Sequence, residues 1–272
     1  VSGSADSLKE ENGKVIGCVV VFRDITKERM IDKAKSEFVS LASHQLRTPL
    51  SAVNWYAEML LNGDAGKINE NQRKYLEEIY HGNQRMVALV NSLLNVSRIE
   101  LGTLAINIKP TNLTKLANSV LTELRPKIKN KKLKVTKKYD SRLPKIKVDP
   151  KLMRIVFQNL LSNAVKYTPL GGKVRLNITK RQSAILITVA DTGYGIPKNQ
   201  QAKVFTKLFR GDNVRTKQTE GTGLGLYIVK AVVKEAGGKI WFKSQENKGT
   251  TFYVTLPLKG MKAKKGTKSL TA

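Results

Sequence analysis

Four short runs of this chain carry residue types that could do chemistry. The first is Ser43-His44-Gln45-Leu46-Arg47-Thr48-Pro49-Leu50. A neutral imidazole is a good nucleophile near pH 7, because its ordinary pKa leaves the free base abundant. An exposed His44 on a rigid helix is what a phosphoryl acceptor needs. A histidine on a polar helix face is also a common surface residue, and His81, beside Gly82, is read as one.

The second run is Asn159-Leu160-Leu161-Ser162-Asn163-Ala164-Val165-Lys166-Tyr167. Asn159 and Asn163 are i and i+4, so they share a helical face, and Lys166 joins that side. Amide oxygens suit a hard cation such as Mg²⁺, and a lysine suits phosphate. The same residues serve equally well as helix caps or surface amides. The third run is Asp191-Thr192-Gly193-Tyr194-Gly195-Ile196-Pro197, just after a predicted strand. A carboxylate there, followed by two glycines, can accept a hydrogen bond from an exocyclic amine such as that of adenine. It can also be an ordinary Asp-Gly turn. The fourth run, Gly221-Thr222-Gly223-Leu224-Gly225-Leu226, opens a helix, where glycine-rich backbone forms an anion site. Its spacing is neither a Rossmann fingerprint nor a Walker loop. Residues 210–220 before it are polar and aperiodic, as a mobile lid would be.

These runs need elements to hold them. Thr26 to Leu61 reads as one long helix. With His44 at 0°, Phe38, Val39, Ala42, Leu46, Pro49, Leu50, Val53, Ala57 and Leu60 fall between about 120° and 240° at helical spacing. That is one apolar stripe opposite the histidine, and Pro49 is expected to kink the helix. Asn62 to Gly66 breaks it. A second amphipathic helix covers about Asn69 to Leu101. Two such helices cannot cover both stripes, so a homodimeric four-helix bundle is expected.

Beyond Gly102 the pattern is mixed. Helices are predicted at Asn112–Arg125, Pro150–Lys166 and Gly225–Ala236. Strands are predicted at Leu133–Tyr139, Lys173–Lys180, Ala184–Ala190, Lys239–Ser244 and Thr250–Leu256. This is an α+β two-layer sandwich, so the fold class is multidomain. Residues 1–24 read as a hairpin turning at Glu11-Asn12-Gly13-Lys14, and a lone hairpin is marginal in water. Residues 259–272 read as a basic, disordered tail.

The 272 residues carry 49 Lys+Arg against 21 Asp+Glu, a formal charge of +28, which brings polyanions into view as partners. The single cysteine, Cys18, rules out an intramolecular disulfide, and two histidines rule out a multi-histidine metal site. The longest apolar run, Val15 to Phe22, is too short to span a bilayer. The chain starts at Val, without a signal peptide, and reads as a soluble piece of something larger.

In conjunction and order, these runs resemble the sensor histidine kinases of two-component systems. The resemblance covers residues 26–258. His44 and its neighbours resemble the H-box of the dimerisation and phosphoacceptor (HisKA) domain, and Ser97-Arg98-Ile99-Glu100 the end of that domain's second helix. Asn159 to Tyr167 resembles the N-box, Asp191 to Pro197 the G1 box, Phe205 to Arg210 the F-box, and Gly221 to Leu226 the G2 box. The ATP-binding part resembles the Bergerat (GHKL) fold shared with gyrase and Hsp90-type ATPases. Gly13 to Arg29 resembles the last strands of a PAS domain and its exit helix.

The resemblance implies five segments: a PAS remnant at 1–25, a signalling helix at 26–37, the phosphoacceptor domain at 38–103, the catalytic domain at 104–258 and the tail at 259–272. It implies ATP and Mg²⁺, a homodimer, a response-regulator partner and a cytoplasmic location, with any membrane anchor upstream. Asp191 would hold the adenine amine. Asn163, with Asn159 as second candidate, would hold Mg²⁺. Lys166 and the backbone of Gly223 and Gly225 would neutralise phosphate charge, and Tyr167 would pack near the nucleoside. Gly193, Gly195, Ile196, Phe205, Phe209, Arg210, Gly221, Thr222, Leu224 and Leu226 would complete the wall. His44 would attack the γ-phosphorus and pass the phosphoryl group to a regulator aspartate. In the related ATPases a Glu activates water about where Asn159 would lie, and an amide cannot deprotonate water. One position departs from the family. Gln45 replaces the acidic residue that usually follows the histidine, so it can orient the imidazole but cannot take its proton. Thr48 matches the position that aligns water for dephosphorylating the regulator.

The charge is only partly explained. Twelve Lys/Arg lie between Arg125 and Lys151, against Asp140 and Asp149. A solvated basic surface accounts for them, as would attraction to an acidic regulator or to anionic lipid. A nucleic-acid module on a kinase-like fold is the rival from another class. A degenerate kinase that only binds ATP is a third reading, supported by Gln45 alone.

Overall fold

The computed structural model describes residues 2–10, 13, 15–215 and 221–263. Strands β1 (Ser2–Lys9) and β2 (Val15–Arg23) pair antiparallel. Glu11, Asn12 and Lys14 of the expected turn lie outside the described residues. Val19, Val20, Val21 and Phe22 are all exposed, so both faces of β2 lack cover among the described residues.

Helix α1 (Thr26–Asn62) is continuous through Pro49, and Gly63 ends it in the left-handed region with φ of 87°. Helix α2 (Glu70–Glu100) starts with a capping box: Asn69 accepts from the Gln72 N–H, and the Gln72 side chain accepts from the Asn69 N–H. The two helices form the expected antiparallel hairpin. The seam between them differs from the stripe read on the helical wheel. Ser36, Ser43 and Ala57 are the buried residues of α1, facing Asn83, Val90, Leu94 and Ser97 of α2. Ser97 Oγ donates to the Ser36 carbonyl at 2.6 Å, and Asn83 Nδ2 to the Leu50 carbonyl at 2.6 Å. Small polar side chains that bond to the opposite backbone take places where apolar ones were expected. Phe38, Leu46 and Val53 stay 71%, 50% and 41% exposed, as do Tyr75, Ile79 and Met86 on α2 at 50–65%.

Strand β3 (Lys109–Thr111) leads to α3 (Leu113–Glu123), α4 (Arg125–Asn130), β4 (Lys134–Tyr139) and β5 (Ile146–Val148). The helix expected at Asn112–Arg125 is α3, capped by Asn112, and the short α4 that follows, with Pro126 in its first turn, was not foreseen. The β3–β5 pair was not foreseen, since three-residue strands show no periodicity. Helix α5 (Pro150–Tyr167), β6 (Lys173–Lys180), β7 (Ala184–Asp191), a 3₁₀ turn (Lys198–Lys203), α6 (Asp212–Arg215), α7 (Gly225–Glu235), β8 (Lys239–Gln245) and β9 (Gly249–Pro257) complete the chain.

The five-stranded sheet runs β4-β6-β7-β9-β8, parallel only between β4 and β6. Alternate residues, such as Leu176, Ile178, Ile187, Val254 and Leu256, are fully buried beneath α3, α5 and α7. This is the two-layer α+β sandwich that the sequence pattern predicted. Val96 of α2 joins its core, so the hairpin and the sandwich pack together. No helix among the described residues is long and apolar enough to cross a membrane.

Asp149 anchors α5, the helix that carries the asparagine run. Its Oδ1 accepts from the N–H groups of Lys151 (2.8 Å) and Leu152 (3.2 Å), and its Oδ2 from Asn107 N–H (2.8 Å). Replacing a cap of this kind costs about 1–2 kcal/mol. Asp149→Ala should lower the urea midpoint accordingly, and Asp149→Asn should restore part of the loss.

Candidate active site

Helix α5 buries Leu152, Met153, Val156, Phe157, Leu160, Leu161, Ala164 and Val165 on one side. Its spacing then leaves Asn159, Asn163 and Lys166 on the other, where they line a cavity of about 680 Å³. That volume is in the usual range for small-molecule sites. The wall also includes Tyr167, Asp191, Gly195, Ile196, Phe209 and Arg210, with Gly221, Thr222, Gly223, Gly225 and Leu226. The asparagine run, the turn after β7, Phe209 with Arg210, and the glycine run therefore meet in one cleft.

Several glycines of the cleft approach their neighbours closely, and two of them lie against α5. A Cβ on Gly193 would lie 2.5 Å from the Tyr167 carbonyl oxygen, because the turn after β7 threads against the end of α5. A Cβ on Gly225 would lie 2.2 Å from Asn159 Oδ1. Asn159 Nδ2 donates to the Ile155 carbonyl at 2.8 Å, which turns Oδ1 toward the start of α7.

Asp191 ends β7. Its Oδ1 accepts from the N–H groups of Gly193 (2.9 Å) and Thr250 (3.2 Å). Burial outweighs these two bonds and pushes its pKa from 3.8 to about 6. Burial likewise raises the Tyr167 phenol, opposed by the nearby Arg210 charge. Lys166 Nζ sits 5.2 Å from the centre of the Tyr167 ring.

Not every expected residue reaches the cleft. Phe205 packs on Phe242 and Phe252, at 5.7 and 6.5 Å between ring centres, and Leu224 is 1% exposed in the core. Both lie inside motif runs but support the wall from behind, and Gly193 acts through its bond to Asp191. Residues 216–220 of the expected lid lie outside the described residues. Conversely, Lys127, Asn130, Lys131 and Thr250 line the cleft without having been singled out. Lys131 Nζ donates to the carbonyls of Val165 (3.1 Å) and Lys166 (2.7 Å) at the end of α5, and burial lowers its pKa. Nothing in its local sequence separates it from the surrounding lysines.

His44, Gln45 and Thr48 are exposed on α1 and do not line the cavity. Arg47 Nη2 donates to Asn91 Oδ1 at 2.9 Å, and the adjacent Ser92, with Arg85 and Ala88, forms the cleft's α2 side. The cavity therefore opens onto the hairpin close to the level of the histidine. No group of three or more His, Cys, Asp or Glu among the described residues could hold a metal. The amide oxygens of Asn159 and Asn163 fit Mg²⁺, which keeps waters and takes phosphate oxygens as further ligands.

A family model described as the His Kinase A (phospho-acceptor) domain matches residues 34–102. A second, described as the histidine kinase-, DNA gyrase B- and HSP90-like ATPase, matches 148–260. The circadian input-output histidine kinase CikA of Synechococcus elongatus is 37% identical over 82% of the chain and 30% of its own length. The sensor histidine kinase WalK of Bacillus subtilis is 34% identical over 93% of the chain and 41% of its own length. The chain thus spans less than half of either relative. The crystal structure of full-length ShkA in complex with AMPPNP matches with a TM-score of 0.70 at 27% identity, covering 84% of this chain and 47% of that one. The two models together cover more than half of the chain, one on the helical hairpin and one on the cleft-bearing sandwich, and the chain belongs to the sensor histidine kinase family.

Proposed function

We propose that the chain is the transmitter part of a protein-histidine kinase, which phosphorylates itself on His44 from ATP and passes the phosphoryl group to an aspartate of a response regulator. The observation that carries this reading is the convergence of Asn159, Asn163, Lys166, Asp191 and three glycines on one cleft, in a chain that also exposes His44 beside Thr48. That the structurally similar ShkA was solved with AMPPNP supports ATP as the nucleotide.

In this reading Asp191 accepts the adenine amine's hydrogen bond. Lys166, the backbone of Gly223 and Gly225, and Lys127 of α4 offset the phosphate charge. Asn163 and Asn159 supply oxygens to Mg²⁺, which when bound screens the phosphates from the incoming nucleophile. A nitrogen of His44 attacks the γ-phosphorus, the new P–N bond replaces the bond to the bridging oxygen, and ADP leaves. Gln45 can orient the ring by accepting its N–H, and the displaced proton goes to water. The exposed stripe of Phe38, Leu46, Val53, Tyr75, Ile79 and Met86 supports a homodimer joined through a four-helix bundle. The segment boundaries at 25, 37, 103 and 258, with a PAS remnant before α1, belong to the same reading. So does a cytoplasmic location, with any membrane anchor in segments upstream of this chain.

Radiolabelled ATP with Mg²⁺ should give acid-labile, alkali-stable label on the wild type and none on His44→Gln. Absence of label on a wild type that still binds ATP would overturn the kinase reading. Gln45→Glu should label faster, and an equal or lower rate would remove the role given to Gln45. Thr48 fits a second activity, aligning water against the phosphorylated regulator. Thr48→Ala should slow regulator dephosphorylation while leaving self-phosphorylation intact, and an unaltered phosphatase rate would sink this role.

The raised pKa of Asp191 sets a pH dependence. The ionised form accepts the amine's hydrogen bond and is lost as pH falls through about 6. The folded value lies above the unfolded one, so the buried charge opposes folding at neutral pH, and this cost fades between pH 6 and 3.8. ATP affinity measured by calorimetry should therefore weaken below pH 6 in the wild type. Asp191→Asn should bind more weakly at pH 7.5 and lack that step.

A further inference from the structure

One carboxylate outside the cleft gathers donors from three other elements. Glu100, the last residue of α2, accepts from Ser36 Oγ of α1 at 3.2 Å and from the Tyr227 hydroxyl of α7 at 3.0 Å. It also pairs with Lys207 Nζ, in the segment just before Phe209 and Arg210 of the cleft wall. The Glu100 side chain is 26% exposed, and Lys207 Nζ lies 5.5 Å from the centre of the Tyr227 ring, so the group is compact. Burial works against the charge on Glu100, but the bonds from Lys207 and Tyr227 hold its pKa below the ordinary value. Burial and then Glu100 itself push the Tyr227 phenol up to about 12, so it remains a donor at any physiological pH.

Two things separate this group from an ordinary surface ion pair. First, Glu100 bonds on either side of two stretches of the cleft wall: Lys207 precedes Phe209 and Arg210, and Tyr227 lies in the first turn of α7 after the glycines. Second, Ser36 is fixed to α2 twice, because its own carbonyl accepts from Ser97 Oγ. Ser36 lies ten residues into α1, about 15 Å from the helix start next to the β1–β2 hairpin. A displacement of α1 along or about its axis pulls Ser36 away from Glu100 directly. In the arrangement that Glu100 holds together, the cleft faces Arg85, Ala88 and Ser92 of α2, and His44 is not part of its wall.

We infer that Glu100 is a positioning residue that holds the sandwich domain docked on α2 with His44 outside the cleft, and that Ser36 reports the position of α1 to this tie. This rests on the kinase reading above for its effect on rate, but not for the docking itself. When α1 moves, Ser36 leaves, the Lys207 and Tyr227 contacts weaken, and the domain is released to reach a histidine.

The test uses the full chain with Cys18→Ser, and spin labels on cysteines placed at the exposed positions Glu78 and Lys180. Pulsed electron resonance on the labelled chain, mixed with an excess of unlabelled Cys18→Ser chain so that each dimer carries one labelled copy, should give one narrow distance distribution for the otherwise wild-type sequence. Glu100→Gln should broaden it and add longer distances, Lys207→Met should do the same, and Ser36→Ala should do so to a smaller degree. Unchanged distributions would overturn the tie. Autophosphorylation at saturating ATP should rise in Glu100→Gln by roughly 2- to 30-fold, the span of typical coupling changes, with nucleotide affinity unchanged. An unchanged or lower rate beside normal ATP binding would overturn the restraining role. If no variant, the wild type included, incorporates phosphate, the kinase reading fails, and the distance measurement still decides whether Glu100 docks the domain.

Discussion

Helix α5 is subject to a constraint that the catalytic half of the molecule is built around. One side must fill the core of the sandwich, and the other must offer amides and an ammonium to a solvent-filled cleft. Eighteen residues satisfy both because the buried positions recur at three and four while Asn159, Asn163 and Lys166 occupy the remaining arc. Phe157 and Leu161, fully buried, fix the rotation of the helix about its axis. A turn of one residue in either direction would sink Asn159 or Asn163 among aliphatic groups, where an unbonded amide costs several kcal/mol in the worst case. The cap at Asp149 fixes one end of the helix and the ammonium of Lys131 the other. The polar side is thus precise because the apolar side is tightly packed.

The same economy governs Asp191. Its carboxylate is held by two backbone N–H groups on a single oxygen, in surroundings dry enough to raise its pKa. A more solvated carboxylate would discriminate less between hydrogen-bond donors, since water would compete for it. Glycines around it let the chain approach closely without excluding a ligand.

Much of this was legible in the sequence, and for definite reasons. The motif runs are local, so their spacing alone set Asn159 against Asn163 and placed Asp191 at a strand end. Long helices and alternating strands declared themselves by period. What escaped was information carried by tertiary contact. Lys131 is one of twelve cations in a stretch and is distinguished only by where the end of α5 falls. Phe205 and Leu224 lie within recognisable runs, yet their aromatic and aliphatic bulk serves the core. The hairpin seam was misread for a related reason. A helical wheel sorts residues by polarity, and it cannot foresee that Ser97 turns its hydroxyl to the Ser36 carbonyl, that Ser36 turns its own to the Glu100 carboxylate, or that Ser43 is buried in the seam.

That serine-lined seam has a thermal consequence. Rearranging α1 against α2 at Ser36, Ser43 and Ser97 exchanges polar contacts, so the hydrocarbon at stake there is confined to Ala57, Val90 and Leu94. The heat-capacity change of such a slip is small, because that quantity scales with the apolar area exposed. An equilibrium with little heat-capacity change keeps a nearly constant enthalpy, so the logarithm of its constant varies linearly with reciprocal temperature. A leucine-packed seam would instead lock or loosen with the strength of the hydrophobic effect. The composition of this interface therefore gives the position of α1 a balance that shifts steadily in one direction with temperature, without the maximum that hydrophobic packing imposes.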